Sequence, residues 1–149
     1  MLDPKGNTGV YLLYMFVRIV SIMSKSEYGS SEALSQLQKQ HDGFKISNKS
    51  EKDLAVAILR LPEQLDLAVT DLQINKVCDL IYEIACKIAD FYQESKVKGS
   101  PEEKSRVLLL WATKKVMAKT FDLLGMSTID KIWNLTYLFS LGKPKKPNR

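Results

Sequence analysis

Residues 75–95 read NKVCDLIYEIACKIADFYQES, and this stretch decides the fold. Its apolar residues recur every three or four positions, which is the period of an α-helix with one buried face. These residues are Val77, Leu80, Ile81, Ile84, Ala85, Ile88, Phe91 and Tyr92. A strand would instead alternate apolar and polar residues, so the stretch predicts a long amphipathic helix.

Helical patterns of the same kind flank this stretch on both sides. The predicted helices cover roughly residues 8–26, 32–40, 50–61, 62–72 and 100–124. Ser50 and Ser100 are the expected N-caps of two of them, with Pro101 at the first helical position of the last. Gly125 is the expected terminator of that last helix. The chain of 149 residues has 7 Gly and 5 Pro and shows no strand pattern, which predicts an all-α antiparallel helical bundle.

The formal net charge of +5 is concentrated at one end of the chain. The last seven residues, 143–149, carry four positive charges and no negative one, which leaves the rest of the chain close to +1. A nearly neutral body is not by itself the mark of a nucleic-acid binder. Any binding of phosphate would therefore have to come from local patches.

Cys78 and Cys86 are spaced for free thiols rather than for a disulfide. Eight residues of helix separate their Cα atoms by roughly 12 Å, whereas a disulfide needs them within about 7 Å. Free thiols indicate a reducing compartment, so we expect a cytoplasmic protein. The apolar run 10–23 is too short to span a bilayer, so we expect no membrane association. The sequence shows no metal-ligand spacing, no phosphate-binding glycine loop and no catalytic constellation.

Aromatic and basic residues are the better candidates for function. Tyr11, Tyr14 and Arg18 are spaced one helical turn apart and form a predicted ridge, and Tyr92 lies at the end of a long helix. Binding an unpaired RNA loop requires aromatic faces for bases and cations for phosphates. From periodicity alone, the simpler interpretation is that these tyrosines are half-buried edges of the core.

Three blocks of the sequence resemble one known family. They are KGNTGVYLLYMFVRIVSI at 5–22, the block at 77–92, and RVLLLWATKKVMAKTFDLLGMSTIDKI at 106–132. In this order they are similar to the C-terminal DALR anticodon-binding domain of arginyl-tRNA synthetases of the eukaryotic cytosolic type. The resemblance predicts a DALR domain over residues 1–132 and a C-terminal extension with a basic tail over 133–149.

The resemblance implies a helical bundle of the DALR type that binds tRNA-Arg. Every arginine anticodon has C in the middle, because every arginine codon has G there. In family members the anticodon loop is held by residues that correspond to Tyr14, Tyr92 and the region of Ile132. Lys96 stands where some relatives have an aromatic residue, and would reach phosphate as a cation.

Other site residues keep two interpretations under the resemblance. Arg18 and Arg106 match family arginines that either fix the helices or reach phosphate. Tyr11 is equally compatible with a role in the core and with RNA contact. Met15-Phe16 replaces a smaller, more polar pair beside Tyr14, and is where this protein would read its tRNA differently.

The resemblance also implies what this chain does not do alone. The full-length enzyme is an ATP-dependent arginine–tRNA ligase, a class I synthetase, and its catalytic domain is the expected intramolecular partner of this one. We expect the chain alone to be an inactive monomer without a cofactor. Met23-Ser24-Lys25-Ser26 is similar to the ATP-binding KMSKS loop of class I synthetases, but Ile22 replaces the leading lysine, and we interpret it as a surface helix end.

Two alternatives compete with anticodon recognition. One is a non-catalytic helical protein-interaction module derived from a synthetase, with an exposed apolar patch at Trp133, Leu135, Tyr137, Leu138 and Phe139. The other is the DALR domain of a different synthetase, such as the cysteine enzyme. The block KGNTGVYLLY argues against this second alternative.

Overall fold

The computed structural model describes residues 8–39 and 44–128 of the chain. Within these residues it contains six α-helices: α1 (Gly9–Ser24), α2 (Ser31–Lys39), α3 (Lys49–Leu59), α4 (Leu61–Thr70), α5 (Asn75–Glu94) and α6 (Glu103–Leu123). This part of the chain has no strand, which confirms the prediction of an all-α bundle. Ile132 and the extension 133–149 lie outside the described residues.

Helix α5 forms the centre of the bundle. It packs against α1, α3, α4 and α6, while α6 also contacts α1, α2 and α3. Seven side chains of α5 are buried: Val77, Leu80, Ile81, Ile84, Ala85, Ile88 and Phe91. All seven belong to the apolar series that the helical period singles out. No helix of the described ranges is long and apolar enough to cross a bilayer.

Met15 and Phe16 belong to this core, so the structure gives neither side chain a surface for direct contact with tRNA. Each side chain is only 2% exposed. The ring of Phe16 meets that of Phe121 edge to face, with centroids 5.6 Å apart. Their apolar bulk therefore joins α1 to α6, which explains a larger and less polar pair at these positions.

Two helix starts differ from the sequence prediction. The N-cap of α3 is Asn48 rather than Ser50, and the side chain of Ser50 is buried instead. Helix α6 begins at Glu103, two residues after Pro101. In both cases a buried glutamate of the first turn binds backbone N–H groups of the preceding loop, and this decides where the helix begins.

Gly125 ends α6 as the sequence predicts. Its φ of +69° is a left-handed conformation that an L side chain would strain. The N–H of Met126 donates to the carbonyl of Phe121 at 2.8 Å, and the N–H of Gly125 donates to that of Asp122 at 3.1 Å. This pair of hydrogen bonds is the Schellman motif, which satisfies the last carbonyl groups of a helix.

Candidate nucleic-acid interface

Tyr14, Arg18 and Tyr92 come together on the surface, and we call them the Tyr–Arg cluster. Nη1 of Arg18 donates a hydrogen bond of 2.7 Å to the hydroxyl of Tyr14. The guanidinium carbon of Arg18 lies 3.8 Å from the ring centroid of Tyr92 and 5.8 Å from that of Tyr14. Tyr14 is 41% exposed and Tyr92 46%. Two aromatic rings and one cation thus share a patch open to solvent.

The helical period of α1 and α5 places these side chains. Tyr14 and Arg18 are separated by one turn of α1, on the side away from the buried Met15 and Ile19. Tyr92 follows the fully buried Phe91 in the last turn of α5, so its ring points out of the core. The cluster therefore lies on two helices that pack against each other.

Arg18 carries a charge that no carboxylate neutralises. Within residues 8–39 and 44–128, no Asp or Glu lies within ion-pair distance of its guanidinium. Burial alone would lower the pKa of Arg18, but hydrogen bonding to Tyr92 and Tyr14 outweighs burial and raises the pKa. Arginine is always protonated at physiological pH. The cluster therefore presents a permanent positive charge between two aromatic rings.

Tyr11 does not complete the predicted ridge. Its ring turns towards Tyr82 on α5, with centroids 6.1 Å apart at a tilt of 57°. Burial, with Cys86 nearby, raises the pKa of the Tyr11 hydroxyl. The side chain packs against the hydrophobic core. Of the two interpretations open for Tyr11, its contacts match the role in the core.

Arg106 is buried in an ion pair. Its Nε donates to Oε1 of Glu51 at 2.7 Å, and its Nη1 donates to the carbonyl of Lys96 at 2.8 Å. Glu102 lies 3.7 Å from Nη2. Arg106 therefore joins α3, α6 and the loop after α5, and these contacts match the helix-fixing interpretation. The side chain of Lys96 is exposed on that loop, beyond the last turn that carries Tyr92.

Two buried carboxylates hold loops of the bundle in place. Oε2 of Glu51 accepts hydrogen bonds from the N–H groups of Ser47 and Asn48. Glu103 accepts from the hydroxyl of Ser26 and the N–H of Gly99, both at 2.6 Å. Glu51 therefore fixes the loop before α3, and Glu103 fixes both the α1–α2 turn and the loop that follows Tyr92.

These carboxylates predict an acid-sensitive fold. Burial raises the pKa of Glu51, but hydrogen bonds from Ser47, Arg106 and Asn48 outweigh it and lower the pKa. The hydroxyl of Ser26 is the main cause that lowers the pKa of Glu103. Because both pKa values lie below the ordinary 4.5, their stabilisation is complete above pH 4.5 and is lost as the pH falls through the folded-state values.

Urea denaturation between pH 7 and pH 3 measures this dependence. We expect the free energy of unfolding to fall below pH 4.5 in the unmodified chain, and to fall less steeply in a Glu103→Gln variant, which has one carboxylate fewer to protonate. Identical pH profiles in the two proteins would contradict the role given to Glu103.

Comparison with known proteins identifies the family to which this chain is similar. The family model described as the DALR anticodon binding domain matches residues 12–132. The chloroplastic/mitochondrial arginine–tRNA ligase of Arabidopsis thaliana is 39% identical over 132 residues, covering 89% of this chain and 20% of that protein. The arginine–tRNA ligase of Protochlamydia amoebophila is 33% identical, covering 89% and 22%. This chain therefore spans about a fifth of the length of these relatives.

A solved structure agrees with the sequence relatives. The crystal structure of arginyl-tRNA synthetase from Plasmodium falciparum superimposes with a TM-score of 0.72 at 30% identity, over 87% of this chain and 22% of that one. The sequence relatives include organellar, bacterial and cytoplasmic enzymes. The cytoplasmic arginine–tRNA ligase of Arabidopsis thaliana is 37% identical, covering 89% of this chain and 22% of that protein. Since the family model covers most of the chain, this protein belongs to the DALR anticodon-binding domain family.

Proposed function

We propose that this chain recognises the anticodon of tRNA-Arg as the C-terminal part of an arginine–tRNA ligase of the eukaryotic cytosolic type. The Tyr–Arg cluster, exposed on a DALR domain, is the observation that carries the proposal. ATP-dependent aminoacylation would belong to the catalytic domain of the full-length enzyme, with which this domain would be joined. The proposal places the protein in the cytoplasm as a monomer.

The cluster has the chemistry that an unstacked base requires. The half-exposed rings of Tyr14 and Tyr92 are platforms for stacking, which contributes roughly 1–3 kcal/mol per base. The guanidinium of Arg18 supplies hydrogen-bond donors for base-edge acceptors or for phosphate. A cytosine offers two acceptors and one amino donor on its pairing edge. An arginine between two rings therefore suits the middle C that all arginine anticodons share.

The remaining predicted contacts are Lys96, Ile132, Tyr11 and Arg106. Lys96 lies on the loop after Tyr92 with its side chain exposed, where a cation would reach a phosphate of the same anticodon loop. Ile132 keeps its predicted role at the end of the domain, outside the described residues. Tyr11 and Arg106 would act from beneath the surface, by supporting α1 and the loop of Lys96.

A titration with two RNAs tests the proposal. We expect the 149-residue chain to bind tRNA-Arg at least tenfold more tightly than the same tRNA with the middle anticodon C changed to U. Tenfold corresponds to about 1.4 kcal/mol, the order of one good base contact. Both titrations must use the same salt concentration, because binding to phosphate depends steeply on salt.

Equal affinities for the two RNAs would contradict anticodon recognition. That result would favour the alternative of a non-catalytic helical protein-interaction module. Its predicted apolar patch at Trp133–Phe139 lies outside the described residues, so deletion of residues 133–149 is the matching test for a protein partner.

A further inference from the structure

The outward face of α6 is a basic surface. Beyond its first residue, α6 carries four lysines outside the core, Lys104, Lys114, Lys115 and Lys119, against a single carboxylate, that of Asp122. The single arginine of α6, Arg106, is already paired with the buried Glu51. The exposed side of α6 is therefore strongly positive, although the whole body of the protein is nearly neutral.

Two of these lysines are held over aromatic rings. Nζ of Lys115 lies 5.5 Å from the ring of Trp111, and Nζ of Lys104 lies 5.7 Å from the ring of Tyr28. Lys104, Trp111 and Lys115 are spaced by seven and four residues, which aligns them on one side of the helix. We call these residues and Tyr28 the α6 basic face. At 1.5 Å per residue, its two lysines are roughly 17 Å apart along the axis.

The positive charges of this face are available to a ligand. Among the described residues, no carboxylate lies within ion-pair distance of Lys104 or Lys115, whereas Lys119 is paired with Asp122 at 3.2 Å. The opposite sign is concentrated elsewhere, since residues 61–95 contain seven carboxylates and only two lysines. Such separation of charge orients an approaching polyanion towards α6 and away from the α4–α5 surface.

We propose that the α6 basic face binds the phosphate backbone of RNA. The identity of that RNA as tRNA rests on the proposed function, but the basic face itself does not. By the helical rise, the two lysines are roughly 17 Å apart. This spacing matches an extended polyanion better than a single phosphate group. Each phosphate that they neutralise releases condensed counterions, which gives affinity without reading sequence. The face therefore adds affinity, while the Tyr–Arg cluster supplies selectivity.

Charge reversal tests this proposal against a matched control. The test variant is Lys104→Glu/Lys115→Glu, and the control is Lys52→Glu/Lys76→Glu, which reverses two exposed lysines of α3 and α5 with the same change in net charge. Affinity is measured over a range of salt concentrations for tRNA-Arg and for the tRNA with the altered middle anticodon base. Far-UV circular dichroism checks that both variants fold, and Lys104→Gln/Lys115→Gln replaces the test variant if it does not.

We expect the test variant to lose about tenfold in affinity, equally for both RNAs, and the slope of log K against log salt to become shallower by roughly 1.4 to 1.8. The control should keep most of its affinity. Equal losses in the two variants, or a loss confined to one RNA, would overturn the proposal. Failure of the proposed function has a different signature, since the unmodified chain would then not discriminate the anticodon while the lysine variant still lost affinity.

Unchanged RNA binding in the test variant would also overturn the proposal. If the unmodified chain still discriminated the anticodon in that case, the proposed function would stand and only the role of the α6 basic face would fall. The face would then be left as a candidate surface for an acidic protein.

Discussion

Arg106→Ala is expected to lower the free energy of unfolding by about 3–5 kcal/mol, because it leaves a buried carboxylate without its cation. The side chains of Arg106 and Glu51 are only 9% and 2% exposed, and their atoms are 2.7 Å apart. After the substitution, Glu51 keeps the N–H groups of Ser47 and Asn48 as donors but loses its only ion-pair partner among the described residues. The carbonyl of Lys96 loses a donor as well. Chemical denaturation monitored by circular dichroism measures the change.

The control for this prediction is an exposed ion pair of the same kind. Arg60 and Glu83 are 3.0 Å apart, but about two-fifths of each side chain is in contact with water. Arg60→Ala should therefore cost no more than about 1 kcal/mol. If Arg106→Ala loses no more stability than Arg60→Ala, burial does not determine how much the ion pair contributes to the free energy of unfolding.

A double variant separates the charge from the packing. Replacing both partners of the buried pair by apolar residues, in Glu51→Leu/Arg106→Met, should destabilise less than Arg106→Ala, because no uncompensated charge remains. A double variant that is less stable than the single variant would instead indicate that the hydrogen bonds of Glu51 to the loop before α3 dominate.

The helices were predictable from the sequence because burial imposes a period on the side chains. Every buried residue of α5 lies in the apolar series at 77–91. The helix starts were not predictable in the same way, since they depend on contacts across the fold. Ser50 followed by Asp53 satisfies the pattern of a capping box, but Asn48 followed by Glu51 satisfies it as well and is the one that forms. Glu51 also binds Arg106 of another helix, and the local pattern does not contain that partner.

Part of the candidate site was also within reach of the sequence. The spacing of Tyr14 and Arg18 predicts their contact, because residues four apart on a helix are neighbours. Tyr92 comes from a distant helix, and no spacing rule places its ring against Arg18. The sequence contains only a weak indication that Glu103 is buried. Glu103 is spaced with Val107 and Leu110 along the side of α6 that carries the core residues. A charge on an apolar stripe indicates a buried partner but does not identify it.

Tyr92→Ala is expected to weaken the binding of tRNA-Arg by roughly 1–3 kcal/mol, which is about 5-fold to 150-fold, because it removes a stacking platform. The ring is nearly half exposed and outside the core, so the helix content should not change. The substitution also removes the ring on which Arg18 rests at 3.8 Å, so the guanidinium loses its fixed position. Fluorescence titration with labelled tRNA, at constant salt, measures the loss.

Two companion variants decide how the loss arises. Tyr92→Phe keeps the ring and should retain most of the affinity if stacking is the main contribution, whereas a loss as large as in Tyr92→Ala would point to the hydroxyl instead. Val69→Ala shortens an exposed apolar side chain on α4, away from the Tyr–Arg cluster, and should leave binding unchanged. Wild-type affinity in both Tyr92→Ala and Tyr14→Ala would exclude the cluster as the anticodon site. Because stacking on a ring tolerates any base, Tyr92→Ala should also weaken the binding of the tRNA with the altered middle base. The ratio of the affinities for the two RNAs should therefore be retained if Arg18 keeps its contact with Tyr14.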